Sequence, residues 1–208
     1  MADYNYDPND GKLHVRYSQL IRCTPHQVDR LIAEMEGLER VETENMLEGT
    51  LRHEMFAREA QITQKPYYAF NLNWRVTHVE HEFASEILPG VIVHSRPDIV
   101  CADIQMLPDY KTVLDGTHGW RETIKQYHHT SKQRQLQFYA FQLGLHGILI
   151  REGSFLCEIW NKERDTILGY EVIRFPITLG DMAAALAWAR PKVALLVSAL
   201  EQRASIIA

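Results

Sequence analysis

Cysteine is scarce in this sequence, and the spacings that make cysteine chemically useful are missing. Three cysteines occur among 208 residues, at Cys23, Cys101 and Cys157, and no Cys-x-x-Cys pair is present. An odd number of widely separated cysteines does not make a disulfide framework, and structural zinc sites usually need closely spaced pairs. The sequence therefore predicts neither kind of site.

The sequence also has no long uncharged hydrophobic run and no evident targeting signal. Its first residues, MADYNYDPNDGKLH, are polar and acidic. A secretory signal needs a basic start and an apolar stretch, a transit peptide is basic, and a membrane span needs about 20 apolar residues. We therefore expect a cytoplasmic protein with no membrane partner.

An excess of positive charge is absent too. The formal net charge is −5, hydrophobic residues make up 46% and charged residues 24%. This charge argues against indiscriminate binding of nucleic acid through a basic surface, although a local basic groove stays compatible with it. The Gly-x-x-x-x-Gly-Lys loop of nucleotide-driven motors is also missing, so we expect no ATP site. Length and composition are those of one globular domain.

Helical patterns lie towards both ends of the chain and once in the middle. Apolar spacing predicts helices over residues 17–35 (broken by Pro25), 45–61, 122–145 and 180–202 (with Pro191 marking a kink or break). Strand patterns are predicted at 66–77, 79–84, 91–93, 99–101, 106–113 and 170–175. Residues 147–150 and 155–160 are predicted to form a hairpin around a turn at Arg151–Ser154.

This order predicts an α/β or α+β fold with a mixed central sheet flanked by helices. We expect a single domain over residues 1–208, divided into a loosely attached lead (1–12), N-terminal helices (17–62), a core (66–175) and a C-terminal helix (178–208).

The chemistry concentrates in the stretch Gly90–Thr112. Asp98 stands at the edge of one apolar run, and Asp109 and Lys111 flank Tyr110 in the next. Alternate residues of a strand share a face, so Asp109 and Lys111 would project together, and a neighbouring strand could add Asp98. Two carboxylates and an ammonium suit a divalent cation and an activated water. The alternative is a solvent-facing strand end with an unrelated surface aspartate nearby.

These residues form part of an ordered set of motifs. The set comprises Tyr17–Pro25, Gly49–Glu54 with His53, Arg96–Val100 with Asp98, Asp109–Thr112, and Gln135–Tyr139. It resembles the RecB-like branch of the PD-(D/E)XK nucleases, which includes CRISPR-associated and phage exonucleases. Val113 stands where that branch usually has glycine, and the segment before Asp98 lacks another frequent glycine.

The resemblance implies a restriction-endonuclease-like core and one or two Mg²⁺ or Mn²⁺ ions. Asp98, Asp109 and Lys111 would be catalytic, and His53 and the Tyr110 carbonyl would complete the metal site with the two aspartates. Gln135 and Tyr139 would hold the DNA backbone or orient Lys111, and the basic residues Arg121 and Lys132 could contact phosphates. Glu80 or Glu82 could add a ligand. Only Cys23 could be an upstream cluster ligand and none follows Cys157, so we expect no iron–sulfur cluster.

The resemblance further implies a metal-dependent exonuclease acting on DNA single strands or duplex ends, in recombination, repair or phage- and CRISPR-related processing. A structure-specific endonuclease, a non-catalytic nucleic-acid-binding module and a metal hydrolase of small substrates remain alternatives. A helicase, a recombinase or a second copy of the chain could be a partner. If a phage encodes the protein, it would act in the host cytoplasm.

Overall fold

The chain divides into two compact units, each with its own sheet. The computed structural model describes residues 4–7, 10–35, 44–115 and 119–207. The first unit comprises Met1–Val41, Phe83–Ser95 and Ala183–Ala208, and the second comprises Glu42–Glu82 and Arg96–Met182. The helices and strands, in chain order, are β1 (Tyr4–Asp7), β2 (Lys12–Arg16), α1 (Tyr17–Arg22), α2 (Val28–Met35), α3 (Glu44–Thr63), β3 (His78–Val79), β4 (Phe83–Leu88), β5 (Val91–Ser95), β6 (Ile99–Val100), β7 (Met106–Leu114), α4 (Trp120–Lys125), α5 (Thr130–Leu145), β8 (Glu152–Trp160), β9 (Ile167–Pro176) and α6 (Leu179–Ile207).

The first unit contains a four-stranded sheet in the order β1-β2-β5-β4. β2 runs parallel to β5, and the other two pairings are antiparallel. Leu13 and Val15 on β2, with Val91 and Val93 on β5, turn towards the core. The two short helices α1 and α2 confirm the prediction that Pro25 divides this segment.

Strand β1 differs from the predicted loose lead. Tyr4–Asp7 pairs antiparallel with β2, from Tyr4 opposite Val15 to Asp7 opposite Lys12. The backbone reverses through Gly11, which has a φ of 65° that glycine adopts without steric cost. A pairing made by backbone hydrogen bonds needs no apolar pattern, so composition alone gave no sign of it.

The second unit is built on a three-stranded mixed sheet in the order β7-β8-β9. β7 pairs with β8 in parallel and β8 pairs with β9 antiparallel. The ring of Tyr110 on β7 packs 4.5 Å from that of Phe56 on α3. On the opposite face, Phe155 of β8 packs 4.9 Å from Tyr127, which precedes α5. Helical segments therefore cover both faces, and the predicted mixed sheet flanked by helices is confirmed.

The prediction of strands over residues 66–77 is wrong. The segment forms a single 3-10 turn at Tyr68–Phe70 and otherwise irregular backbone. Its aromatic side chains pack around Tyr110, with Phe70 at a ring distance of 6.0 Å. Pro66 and the left-handed conformation of Asn71 break any strand, so the aromatics here fill the core without pairing.

The predicted hairpin turn at Arg151–Ser154 is also wrong, because β8 already begins at Glu152. Gly153 suggested a turn, but the glycine instead allows a neighbouring side chain to lie close to the backbone of β8. A Cβ at this position would lie 2.4 Å from Cζ of Phe175 on the paired strand β9. The glycine lets that aromatic ring lie across the strand.

Helix α6 is long and apolar, which matters for the expectation that the chain has no membrane span. Among the described residues, one helical stretch, Leu179–Arg203, is long and apolar enough to cross a membrane by length and composition, with a mean hydropathy of 1.4. Only 22% of this stretch is buried, and Ala183, Ala184, Ala187 and Ala194 are among its exposed residues. A stripe of larger residues, including Met182, Val193 and Leu196, is buried at helical spacing, as in a helix that covers a core.

Candidate active site

Strand β7 places Asp109 and Lys111 on one face and Tyr110 on the other. The parallel register sets Asp109 opposite Phe155 and Lys111 opposite Cys157 of β8. The Nζ of Lys111 lies 2.5 Å from Oδ2 of Asp109, and the side chains are 27% and 3% exposed respectively. The residues two apart therefore form a buried ion pair that is open to solvent only through the lysine.

Asp98 joins this pair by an unexpected route. The sequence suggests a strand beside β7, but Asp98 lies just before β6, which pairs with β3. Its Oδ2 accepts a hydrogen bond of 2.6 Å from the backbone N–H of Tyr110. β7 is an edge strand of its sheet, so this carboxylate satisfies a donor that no neighbouring strand bonds.

His53 reaches the same place from α3. Its Nδ1 lies 3.5 Å from Oδ2 of Asp98, and its ring stands edge-on to Tyr110 at a centroid distance of 6.5 Å. Phe56, three residues further along the helix, packs against Tyr110 and fixes the helix against the strand. The His53, Asp98, Asp109 and Lys111 side chains form what we call the acidic cluster.

The electrostatics of Asp109 and Lys111 are set by burial and by each other. Burial raises the pKa of Asp109 to about 6, although the Lys111 ammonium opposes this shift. Burial lowers the pKa of Lys111, but the negative charges of Asp109 and Asp98 outweigh it and the pKa lies above its ordinary value. Lys111 is therefore cationic at neutral pH.

Asp98 and His53 stabilise each other's charged forms. Burial raises the pKa of Asp98, but the hydrogen bond and charge of His53, with Lys111 and the Tyr110 N–H, bring that pKa below its usual value. Burial lowers the pKa of His53, and the hydrogen bond to Asp98 more than offsets this, so the pKa is raised. The imidazole therefore holds its proton to higher pH than a free histidine does.

The donor chemistry of the acidic cluster fits a divalent cation. Once His53 gives up its proton, it and Asp98 offer an imidazole nitrogen and a carboxylate oxygen 3.5 Å apart, near the roughly 3 Å that separates adjacent ligands of an octahedral ion with bonds of about 2.1 Å. The buried Oδ2 of Asp109 has the ammonium of Lys111 at 2.5 Å and no further hydrogen bond. Within the described ranges, however, no three histidine, cysteine, aspartate or glutamate side chains converge as a ready metal cluster. Lys111 pairs with the third donor, Asp109.

The other predicted site residues lie on α4 and α5, two helices that contact β7. On α5, Nε2 of Gln135 donates a 2.9 Å hydrogen bond to the hydroxyl of Tyr139, which is 6% exposed. Arg121 on α4 lies over the ring of its neighbour Trp120 at 5.3 Å, and Lys132 is exposed in the first turn of α5.

Glu80 lies near the cluster but is paired elsewhere. Its Oε2 is 2.7 Å from Nε of Arg96, and its backbone N–H donates to the Asp98 carbonyl. Burial raises the pKa of Glu80, as does the charge of Asp98, against the opposing effect of Arg96. Glu82 is exposed.

A second buried charge pair has no signal in the sequence. Arg52 on α3 binds Glu158 on β8 through Nη2 and, at 2.8 Å, through Nε, and Trp160 donates a further 2.8 Å hydrogen bond to the same carboxylate. Glu158 is fully buried. Arg52 precedes His53, but nothing in the sequence links it to a strand 106 residues away.

The chain is similar in structure to solved exonucleases. An alkaline exonuclease, LHK-Exo, from Laribacter hongkongensis gives a TM-score of 0.56 at 16% identity, covering 94% of this chain and 95% of that one. LHK-Exo in complex with dAMP gives 0.56 at 17%, with 93% and 94% covered. A phage-related exonuclease from Haemophilus somnus 129PT gives 0.52 at 11%, with 92% and 98% covered. No family model and no curated protein matches the sequence. At these identities the likeness establishes the fold.

Proposed function

We propose that this chain is a divalent-metal-dependent deoxyribonuclease that removes nucleotides from DNA ends, and that it belongs to the RecB-like branch of the PD-(D/E)XK nucleases. One observation carries the proposal. Asp109 and Lys111 lie together on an edge strand, and the carboxylate of Asp98 is bonded to the backbone between them. This arrangement concentrates two carboxylates and an ammonium at one buried point, as phosphodiester hydrolysis requires.

The acidic cluster would hold Mg²⁺ or Mn²⁺ through Asp98 and Asp109, with His53 and the Tyr110 carbonyl as further ligands. When bound, such an ion polarises a phosphate and lowers the pKa of a bound water. Imidazole is a softer donor than oxygen, so a ligand set that includes His53 favours Mn²⁺ over Mg²⁺.

Lys111 would act as a positive charge. Its pKa lies above that of an ordinary lysine because Asp109 and Asp98 outweigh the effect of burial, so it holds its proton at neutral pH. A charged ammonium cannot accept a proton from water. It would instead orient the attacking water by hydrogen bonding and stabilise the negative charge that develops on the phosphate oxygens.

The predicted site residues on α4 and α5 would bind the DNA backbone. Gln135 and Tyr139 hold each other by a hydrogen bond, which fixes the amide and the phenol of α5 in one orientation. Arg121 and Lys132 would add cationic contacts to phosphates, which bind without regard to sequence.

The similar structures support an exonuclease in particular. LHK-Exo is an alkaline exonuclease with a dAMP complex, and the likeness extends over 93% or more of both chains. The proposed protein partner is a helicase, a recombinase or a second copy of this chain. The proposed location is the cytoplasm, which is that of the host if a phage encodes the protein.

The test uses end-labelled linear and circular DNA, single- and double-stranded, with Mg²⁺, Mn²⁺ or EDTA. We expect mononucleotides to be released from linear substrates with either metal and no reaction in EDTA. Cleavage of the circles would identify an endonuclease, and binding without cleavage would identify a non-catalytic module. Either result would overturn the proposal.

A further inference from the structure

An open groove of about 280 Å³ lies in the second unit where α3 ends and the following loop begins. It approaches the lower end of the volumes that hold small ligands, roughly 300 Å³. Apart from Pro66 and Leu72, the residues that line it are Glu59, Thr63, Lys65, Tyr68, Asn71 and Asn73. Most of the groove's surface is apolar, although polar side chains also line it, and its size suits one planar group.

Tyr68 presents an aromatic face at this groove. It is 73% exposed, which is unusual for so large an apolar side chain. Its ring lies 4.7 Å from that of Tyr67, which is buried and packs 4.8 Å from Phe56. The backbone N–H of Tyr67 donates a 2.9 Å hydrogen bond to the hydroxyl of Tyr110 on β7. The exposed ring of Tyr68 thus packs on Tyr67, which is hydrogen-bonded to the strand that carries Asp109 and Lys111.

The backbone around Tyr68 is held in place as well. Its N–H donates a 2.9 Å hydrogen bond to Oε1 of Glu59 on α3. Asn71 adopts a left-handed conformation with a φ of 51°, and its N–H bonds the Tyr68 carbonyl at 2.9 Å. The hydroxyl of Thr63 bonds both the N–H and the carbonyl of Lys65. A groove ordered in this way loses little conformational entropy when a ligand binds.

The groups at the rim suit a nucleotide. An aromatic face stacks on any base, which is how proteins bind single strands without reading sequence. The exposed amides of Asn71 and Asn73 can donate to and accept from base edges, and the exposed ammonium of Lys65 can meet a phosphate. In a duplex the base faces are covered by their neighbours, so the groove favours a single strand.

The groove lies within reach of the same DNA strand as the cluster. Glu59 and Thr63 follow His53 by six and ten residues on α3, which at 1.5 Å per residue is about 9 to 15 Å along the helix. That distance corresponds to about three to four nucleotides at the 3.4 Å spacing of a duplex strand. We propose, resting on the function proposed above, that the groove binds one base of single-stranded DNA a few nucleotides from the scissile bond, stacked on Tyr68.

The experiment measures binding and cleavage with Tyr68→Ala, Tyr68→Trp and a matched control, Ile62→Ala. Ile62 is equally exposed, at 76%, and lies on α3 outside the groove lining. Fluorescence anisotropy in EDTA would give the dissociation constants for labelled two- and eight-nucleotide single strands and for a blunt duplex. We expect Tyr68→Ala to weaken binding of the eight-nucleotide strand by about 5- to 100-fold, with Tyr68→Trp and Ile62→Ala near the original protein.

The same substitution should leave binding of the duplex unchanged, because its bases are covered by their neighbours. It should weaken binding of the two-nucleotide strand, whose bases are free, by no more than that of the eight-nucleotide strand. Equal affinities of Tyr68→Ala and Ile62→Ala for the eight-nucleotide strand would overturn the proposal. The cleavage assays separate this inference from the nuclease function. If the original protein cleaves no DNA but Tyr68→Ala still weakens binding, the proposed binding groove is supported and the proposed nuclease activity is wrong. If it cleaves DNA and Tyr68→Ala has no effect at any length, the groove alone is wrong.

Discussion

Two buried carboxylates on neighbouring strands, Glu158 of β8 and Asp109 of β7, show how differently this fold treats charge. Glu158 has no exposed surface, and its two oxygens accept hydrogen bonds from Arg52 and Trp160. Asp109 is almost as deeply buried, yet its Oδ2 has a single partner, the ammonium of Lys111, and no further hydrogen bond. The first carboxylate is saturated and the second is not.

The difference indicates a structural role for Glu158 and a chemical role for Asp109. A carboxylate whose lone pairs are occupied can hold an element in place but has nothing left for a ligand. A buried carboxylate with spare lone pairs has a shifted pKa and can bind a cation. Arg52 and His53 are consecutive on α3, so one helix serves both: Arg52 ties it to β8, and His53 faces Asp98.

The largest expected effect is on the rate of DNA cleavage, when Lys111, the partner of Asp109, is replaced. Lys111→Ala removes the charge that would stabilise the transition state, and we expect the rate of Mn²⁺-dependent DNA cleavage to fall by about 10²- to 10⁴-fold. Initial rates on end-labelled single-stranded DNA measure this. Lys162→Ala, at an exposed turn, is the control and should retain full activity. Unchanged turnover in Lys111→Ala would refute the catalytic assignment.

Glu158 should behave in the opposite way, with a large effect on stability. Glu158→Gln leaves the partly buried Arg52 without its countercharge, and we expect the free energy of unfolding to fall by about 3 kcal/mol. Urea denaturation measures the change. The control is Glu152→Gln, which breaks a more exposed pair with Arg174 and should cost below about 1 kcal/mol.

Equal losses in these two variants would abolish the distinction between the saturated pair and an ordinary surface pair. The double variant Arg52→Met with Glu158→Leu sharpens the result further. It removes both charges, so we expect it to recover much of the stability that the single change loses.

A smaller, pH-dependent effect is expected for His53. The raised pKa of His53 stabilises the fold below about pH 6.5, the unfolded value, and this contribution is lost as pH rises through the folded pKa. The lowered pKa of Asp98 stabilises the fold above about pH 3.9 and is lost as pH falls through the folded pKa. Both contributions are therefore complete between about pH 4 and 6.5.

Urea denaturation in EDTA tests this window. His53→Gln should lower the free energy of unfolding by about 1 kcal/mol at pH 5.5 and by less at pH 8.5. His26→Gln, at an exposed position of the first unit, should show no such difference. A loss for His53→Gln that does not vary with pH would mean that the imidazole acts by packing and not by charge.

The smallest expected effect concerns the hydrogen bond between Gln135 and Tyr139. Tyr139→Phe removes the acceptor, and a neutral hydrogen bond contributes about 0.5 to 1.5 kcal/mol, so the KM for DNA should rise about 2- to 10-fold. Steady-state kinetics measure KM and kcat separately. Gln135→Ala should have a similar effect, and the double variant should add little to either. Additive effects would show that the two side chains act independently.

The residues that could be predicted from the sequence are those whose geometry is local. Asp109 and Lys111 share a face because a strand alternates, and the helix that carries His53 follows from apolar spacing. Asp98 could be named, but not its hydrogen bond to the backbone of Tyr110, because that bond depends on β7 being an edge strand. Glu158 could not be predicted at all, since Arg52 lies 106 residues away.

The wrong predictions at residues 66–77 and 151–154 have one cause. An aromatic run over residues 66–77 looks like a strand, and Gly153 looks like a turn. In both places the residue type serves tertiary packing: the aromatics surround Tyr110, and the glycine admits the ring of Phe175. Propensity reflects local preference, and packing overrides it.

The carboxylate of Asp98 also has a bearing on the integrity of the fold. Met106–Tyr110 of β7 are buried, so the N–H of Tyr110 has no solvent to bond in place of Asp98. Loss of Asp98 would leave that buried donor without a partner, which costs about 1 to 3 kcal/mol. The residue proposed to bind the cation would thus also stabilise β7, so the folding of a variant without it should be checked before any loss of activity is attributed to chemistry.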